Sequence, residues 1–358
     1  MINMEEKTNF SDIIALKNAM LEDFEQLANP QSDIMDNKGL FTVKPANEWI
    51  EQAKNRPIPK QLFGKLWFEN ELCILFSDAN LGKSIIAVQI GNAISRGETI
   101  KGFSLEADRQ PVLYFDFELG DKQFECRYSD NFVNSYSFDN NFIRVEINPD
   151  SEVPTSTDFE TYLIKELERV ISETKIKIVI IDNITFLKNG TETAKDALPL
   201  MKHLKALKAR YNLSILVLAH TPKRDLSKPI TRNDLQGSRM LMNFCDSSFA
   251  IGESFTDTHL RYIKQVKQRN CESIYDADNV IVCEITKPDN FLGFEFIGFG
   301  VEREYLKSQS ENAREELINK TKELSGNGRS QREISRELGI SLGAVNKYLK
   351  TNISHEHQ

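Results

Sequence analysis

The sequence predicts an α/β fold: a mostly parallel sheet flanked by helices, with a helical N-terminal appendage and a small all-α C-terminal unit. Three observations carry this. Apolar runs of β type recur at Cys73–Phe76, Val112–Phe117, Ile178–Ile181 and Ile215–Ala219, and amphipathic stretches of helical period lie between them, notably over 157–173 and 194–210. Such alternation is the signature of strands buried on both faces by crossover helices. Beyond Glu304 the composition turns polar and helical. The expected domains are 1–55, 56–305 and 306–358.

In the first segment, Phe10, Ile13, Ile14, Leu21 and Phe24 fall near one helical face, and Asn29-Pro30 stops the pattern. A second short helix is expected around Trp49, ending before Pro57. This appendage is read as packing on the core or on a neighbour.

The first apolar run leads into Ser77-Asp78-Ala79-Asn80-Leu81-Gly82-Lys83-Ser84-Ile85, and an apolar pattern at helical spacing follows. Strand, loop, Gly-Lys-Ser and helix make the layout of a P-loop, with Ser77 where the pattern has its first glycine. Backbone N–H groups of residues 77–85 would wrap phosphates at the positive end of the new helix. Lys83 can reach the β- and γ-phosphates, and Ser84 can ligate Mg²⁺. The expected cofactors are therefore ATP and Mg²⁺.

Three further strand ends carry polar groups. Val112-Leu-Tyr-Phe-Asp-Phe-Glu118 offers Glu118 to accept the proton of an attacking water; Asp116 lies on the same face and competes for that role. Lys175-Ile-Lys-Ile-Val-Ile-Ile-Asp182 ends in a carboxylate that can order the metal, from a strand expected beside the P-loop strand. Ser214-Ile-Leu-Val-Leu-Ala-His220 ends in a histidine that could sense the γ-phosphate or serve structure alone. Four more strands are expected at Ser247–Ile251, Leu260–Gln265, Val280–Ile285 and Phe291–Phe299, added antiparallel at the sheet edge.

In the C-terminal unit, Ser330 with Glu333 forms a capping box before Ile334 and Leu338; Gly339 ends that helix, and Ser341 can cap a second one bearing Val345, Tyr348 and Leu349. Two short helices joined by Gly-Ile-Ser make a helix-turn-helix.

Bulk properties narrow the class. The chain has 358 residues, 40% hydrophobic and 27% charged, with a net charge of −8. No apolar run approaches the roughly 20 residues that span a bilayer, and the N-terminus carries no basic region or apolar signal core, so a cytoplasmic protein without membrane partners is expected. The five cysteines are scattered with no C-x-x-C pair, as expected of reduced thiols rather than structural zinc. Overall acidity argues against indiscriminate nucleic-acid binding. Two stretches are nevertheless locally +3: residues 221–240, and residues 306–350 with nine Lys or Arg against six Glu. Directed contact with phosphates and a solvated charged surface both fit these patches.

The ordered set Ser77–Ser84, Glu118, Asp182, His220 and Lys267-Gln-Arg-Asn270 resembles the RecA-superfamily ATPases, above all the hexameric replicative DNA helicases and the plasmid RepA-type helicases, over residues 60–285. The resemblance implies a RecA-like core, a homo-oligomeric ring, most often a hexamer, and Lys267 and Arg269 as fingers reaching a neighbour's nucleotide. It also implies that the loop after His220 contacts single-stranded DNA through Lys223, Arg224, Lys228 and Arg232; a loop with no DNA role is the alternative. The C-terminal unit resembles the helix-turn-helix of site-specific recombinases and sigma-like regulators. Docked that way on duplex DNA, Ser341, Asn346 and Lys347 would lie near bases or backbone, with Arg329 and Arg332 on phosphates; a helix pair used for protein contact is the alternative. The expectation is an ATP-hydrolysing, ring-forming DNA motor for replication or mobilisation of a mobile element. The rivals are a DNA-dependent ATPase that loads or remodels partner proteins, and a nucleotide-gated helix-turn-helix transcriptional regulator.

Overall fold

A computed structural model describes residues 41–187, 194–222, 224–235 and 238–351. The helix expected over residues 10–24 lies outside them. Two compact units are present, residues 1–58 and 59–358. In the first, the one described helix is α1 (Ala46–Lys54), with Lys44 Nζ donating to Gln52 Oε1 at 3.1 Å; Trp49 and Ile50 on it are exposed.

The second unit is built on nine strands: β1 (Leu72–Ser77), β2 (Val112–Asp116), β3 (Phe142–Val145), β4 (Ile178–Asp182), β5 (Ser214–His220), β6 (Ser247–Glu253), β7 (Leu260–Lys267), β8 (Val280–Thr286) and β9 (Gly293–Gly300). Their order across the sheet is β9-β8-β7-β6-β1-β5-β4-β2-β3. Strands β3, β2, β4, β5, β1 and β6 are parallel; β7, β8 and β9 continue the sheet antiparallel. Helices α2 (Lys83–Arg96), α3 (Asp121–Arg127), α4 (Phe159–Thr174), α5 (Ile184–Leu187), α6 (Ala194–Tyr211) and α7 (Ser238–Phe244) fill the connections.

Every residue of β1 is buried, and the period-two alternation of a strand divides them between two cores. Leu72, Ile74 and Phe76 join Leu167 and Ile171 of α4 and Leu204 and Leu207 of α6. Cys73 and Leu75 face Ile86, Ile90 and Ile94 of α2. Burial on both faces is why these runs read as continuous apolar stretches rather than alternating ones.

Two expectations about the sheet are corrected. The Asp182 strand does not lie beside the P-loop strand; β5 sits between β4 and β1. Ser247–Ile251 is not an antiparallel addition either. It belongs to β6, which runs parallel to β1, because the chain crosses back from β5 through α7 before re-entering the sheet, as a parallel connection requires. Antiparallel pairing begins only at β7.

The C-terminal helices are α8 (Gln309–Gly326), α9 (Gln331–Leu338) and α10 (Leu342–Lys350), which pack on one another around Ile318, Ile334 and Val345. The Ser330–Glu333 capping box forms, Gly339 adopts φ 65°, and Ser341 Oγ accepts from Ala344 N at 3.1 Å. Among the described residues, no helix is long and apolar enough to cross a membrane.

Candidate nucleotide site

The loop between β1 and α2 wraps a cleft of about 220 Å³ lined by Ala79, Asn80, Gly82, Lys83, Ser84, Ile85, Glu118, Arg127 and His220. Gly82 has φ 93°, and a Cβ there would come within 2.8 Å of Ile285 and 2.9 Å of Phe294. Only glycine satisfies both the left-handed backbone and that close approach, so the antiparallel strands β8 and β9 help set the loop's shape. The missing first glycine has its own explanation. Ser77 is buried in the last position of β1, its hydroxyl donates to Asp78 O at 2.7 Å and lies 3.2 Å from Lys83 Nζ. A hydroxyl is used where the pattern has none.

Lys83 is buried and makes no ion pair among the described residues. Its ammonium rests on Ser77 O (3.3 Å), Asp78 O (3.1 Å) and His220 Nδ1 (3.2 Å). Burial pushes its pKa down to about 8, against the pull of Glu118, Asp182 and Asp78. A cation held by neutral oxygens at a cleft is poised for an anionic ligand.

Asp182 ends β4, 1% exposed. Burial pushes its pKa up to about 6, with the Ser84 hydroxyl and the Tyr114 hydroxyl working the other way. Oδ2 accepts from Tyr114 at 2.7 Å; Oδ1 is buried with no hydrogen-bond partner among the described residues. An orphaned carboxylate oxygen near a hydroxyl fits a hard divalent cation. No group of three or more His, Cys, Asp or Glu side chains suited to a metal occurs among the described residues. Mg²⁺ at Ser84 and Asp182 would therefore draw its remaining ligands from phosphate oxygens and water.

The competition between Asp116 and Glu118 is decided by geometry. Asp116 is buried, lies 2.9 Å from Arg144 Nε, and accepts from the backbone N of Glu118 (3.2 Å) and Leu119 (3.0 Å). It shapes the turn. Glu118, one residue past that strand end, faces the cleft, with Asn183 Nδ2 donating to Oε1 and His220 Nε2 3.6 Å away. The histidine contact holds its carboxyl below the usual range, with Lys83 and Asn183 adding to the effect and burial opposing it. A carboxylate open to the cleft and kept ionised can take a proton.

Residues over 42–225, half of the chain, match the family model described as an AAA domain. The chain belongs to this family of P-loop ATPases. The AAA domain is a nucleotide-hydrolysing unit, and its match ends just after His220, before β6–β9 and the C-terminal helices. No curated protein matches the chain.

Several expected site residues lie away from the AAA cleft. Lys267 ends β7 and Arg269 lies two residues beyond it; β7 runs antiparallel to β6, so both reach the sheet end opposite the phosphate loop. There Lys267 Nζ donates to Met242 O (2.5 Å) and Cys245 O (2.6 Å), closing the carbonyl end of α7, and Arg269 pairs with Asp246 at 3.3 Å. Lys223 lies outside the described residues. Arg224 was expected on a DNA-facing surface; instead its side chain is 6% exposed and pairs with Asp78 at 3.2 Å, because the carboxylate within the phosphate loop attracts its guanidinium. Lys228 is exposed and pairs with Asp225, and Arg232 is exposed with Nε donating to Val266 O at 3.2 Å. Arg329, Arg332, Ser341, Asn346 and Lys347 are all exposed on the C-terminal unit.

Sequence reasoning missed Arg127. It ends α3 and lines the cleft, and its Nη1 is buried with no hydrogen-bond partner among the described residues. No motif marked it; the one available signal was an arginine nine positions past Glu118 on a short helix.

Proposed function

We propose that the chain is a ring-forming, DNA-associated ATPase, related to the RepA-type helicases, that moves along single-stranded DNA in the replication or mobilisation of a mobile element. The observation that carries the hydrolytic part is the cleft itself. Lys83 and Arg127 line the same cleft as an exposed, ionised Glu118, and among the described residues Arg127 Nη1 and Asp182 Oδ1 have no hydrogen-bond partner. In it Lys83 and Arg127 hold the triphosphate charge, Ser84 and Asp182 hold Mg²⁺, and Glu118 takes the proton of the water that attacks the γ-phosphate, giving ADP and phosphate. Mg²⁺, when bound, neutralises charge on the β- and γ-oxygens.

The ring reading is supported by the far placement of Lys267 and Arg269. Neither can serve its own chain's cleft; Arg269 is exposed at that end of the sheet, where a second copy can meet it, whereas Lys267 is tied to the carbonyls of Met242 and Cys245. The DNA reading is supported by the basic excess of the C-terminal unit and by two capped helices at helix-turn-helix spacing. Mass in solution with ATP and Mg²⁺, with and without single-stranded DNA, tests assembly. A nucleotide-dependent rise to six chains supports the proposal, and a monomer under every condition overturns the ring. Strand displacement on a forked duplex separates a motor from a DNA-dependent loader; sequence-specific duplex binding with negligible turnover would favour a transcriptional regulator.

A further inference from the structure

Asp78 is an unusual resident of a phosphate-binding loop, since its charge has the same sign as the ligand. The structure neutralises it from one direction. Thr221 Oγ1 donates to Asp78 Oδ1, and Arg224 Nε lies 3.2 Å from Oδ2. Thr221 N also donates to Ser77 O at 3.1 Å, so the segment leaving β5 is bound to the loop by backbone and side chains together. Arg224 is nearly buried there, and its Nη1 donates onward to Lys228 O at 3.1 Å. Immediately before Thr221 stands His220, paired in register with Ser77 across β5 and β1 and touching both Lys83 Nζ and Glu118.

From this geometry we infer that Asp78 and Arg224 are positioning residues: they latch Thr221 and the stretch Arg224–Lys228 onto the phosphate cradle and thereby hold His220 against Lys83 and Glu118. The inference rests on the reading of the cleft as a triphosphate site, but on none of the proposals about DNA. Charge decides the direction of its response. A triphosphate adds negative potential beside Asp78, which tightens a guanidinium already lying there. Filling the cradle therefore stiffens the basic segment, and loosening the latch lets His220 shift without removing any group that meets phosphate through its side chain.

The test uses the full chain and two variants that cut the latch from opposite sides, Asp78→Asn and Arg224→Gln, with Arg224→Lys as the conservative partner. Hydrogen exchange at the amides of Arg224–Lys228 is measured with no nucleotide and with a slowly hydrolysed ATP analogue, beside steady-state ATP turnover. Breaking a charged, largely buried hydrogen bond corresponds to about tenfold or more. Expected are exchange about tenfold faster in both cutting variants without nucleotide, a fall in kcat of similar size with KM shifted less than about threefold, and recovery towards wild type in Arg224→Lys. Exchange within twofold of wild type in both cutting variants overturns the latch, as does a loss confined to KM. Should Asp78→Asn not fold, Arg224→Gln alone decides. A wild-type chain that neither binds nor hydrolyses ATP would strike the nucleotide reading instead, while the exchange comparison without nucleotide still judges the latch.

Discussion

Replacing Glu118 by glutamine isolates one step of the proposed chemistry. The side chain is exposed at the cleft, with Asn183 Nδ2 donating to Oε1 and His220 at 3.6 Å. Glutamine has the same shape, and its carbonyl oxygen can still accept from Asn183. Packing and charge-neutral contacts are therefore kept, and what disappears is an ionised oxygen able to take a proton. General-base catalysis contributes about 10²- to 10⁴-fold, or roughly 3–5 kcal/mol of barrier. Phosphate release under saturating Mg²⁺–ATP should fall by that factor while nucleotide affinity stays within about threefold. The control is Asp116→Asn. That carboxylate is buried against Arg144 at 2.9 Å and holds the turn through two backbone N–H groups; Arg144 keeps Asp121 and Glu146, so weakening these charged hydrogen bonds costs about 1–3 kcal/mol of stability. It should lower the denaturation midpoint markedly, yet slow the folded enzyme less than Glu118→Gln does. A Glu118→Gln chain turning over within fivefold of wild type, or an Asp116→Asn chain that is stable and inactive, would refute the assignment.

Further outcomes follow from the same cleft. Arg127→Ala removes a guanidinium whose Nη1 is unsatisfied in the free chain; ATP should bind about tenfold or more weakly, with the melting temperature unchanged or slightly higher, because a buried orphan is removed. Lys83 titrates near 8 in the free chain, and phosphates can only raise that value, so binding takes up a proton above it. In EDTA, affinity for a fluorescent nucleotide should be level below pH 8 and fall by up to tenfold per unit above it, whereas Lys83→Arg should flatten the profile; a level wild-type curve to pH 9.5 counts against the buried-lysine geometry. The same lowered pKa acts oppositely on the free chain, whose stability should gain from this group between pH 8 and its unfolded value. Cys73, Cys245 and Cys283 are buried, burial raises the pKa of each, and Cys126 is exposed. Ellman's reagent should therefore modify Cys126 rapidly and those three only on unfolding.

What could be read in advance was whatever is fixed locally. Gly82 must be glycine because the backbone there is left-handed and two side chains crowd it. The runs around Leu75, Phe115, Ile180 and Leu216 are apolar because helices cover both faces of the sheet. Ser330, Glu333, Gly339 and Ser341 announce their helix ends through hydrogen bonds made within a few residues. Non-local pairing left no such trace. Nothing in Ile178–Asp182 or Ser214–His220 tells which of the two strands lies beside β1. The direction of β6 depends on the crossover through α7. Arg224 looked like one more surface cation until Asp78, 146 positions away in the chain, claimed it. Arg127 carried no motif, and only the folded cleft brings it to the phosphate loop.

The most direct measurement is release of phosphate from Mg²⁺–ATP by the purified chain, compared with Lys83→Ala. Turnover in the wild type, lost by at least a hundredfold in the variant together with nucleotide binding, is what this architecture requires. A wild-type chain that binds no nucleotide at millimolar concentration, or a variant that hydrolyses ATP as well as its parent, would contradict it.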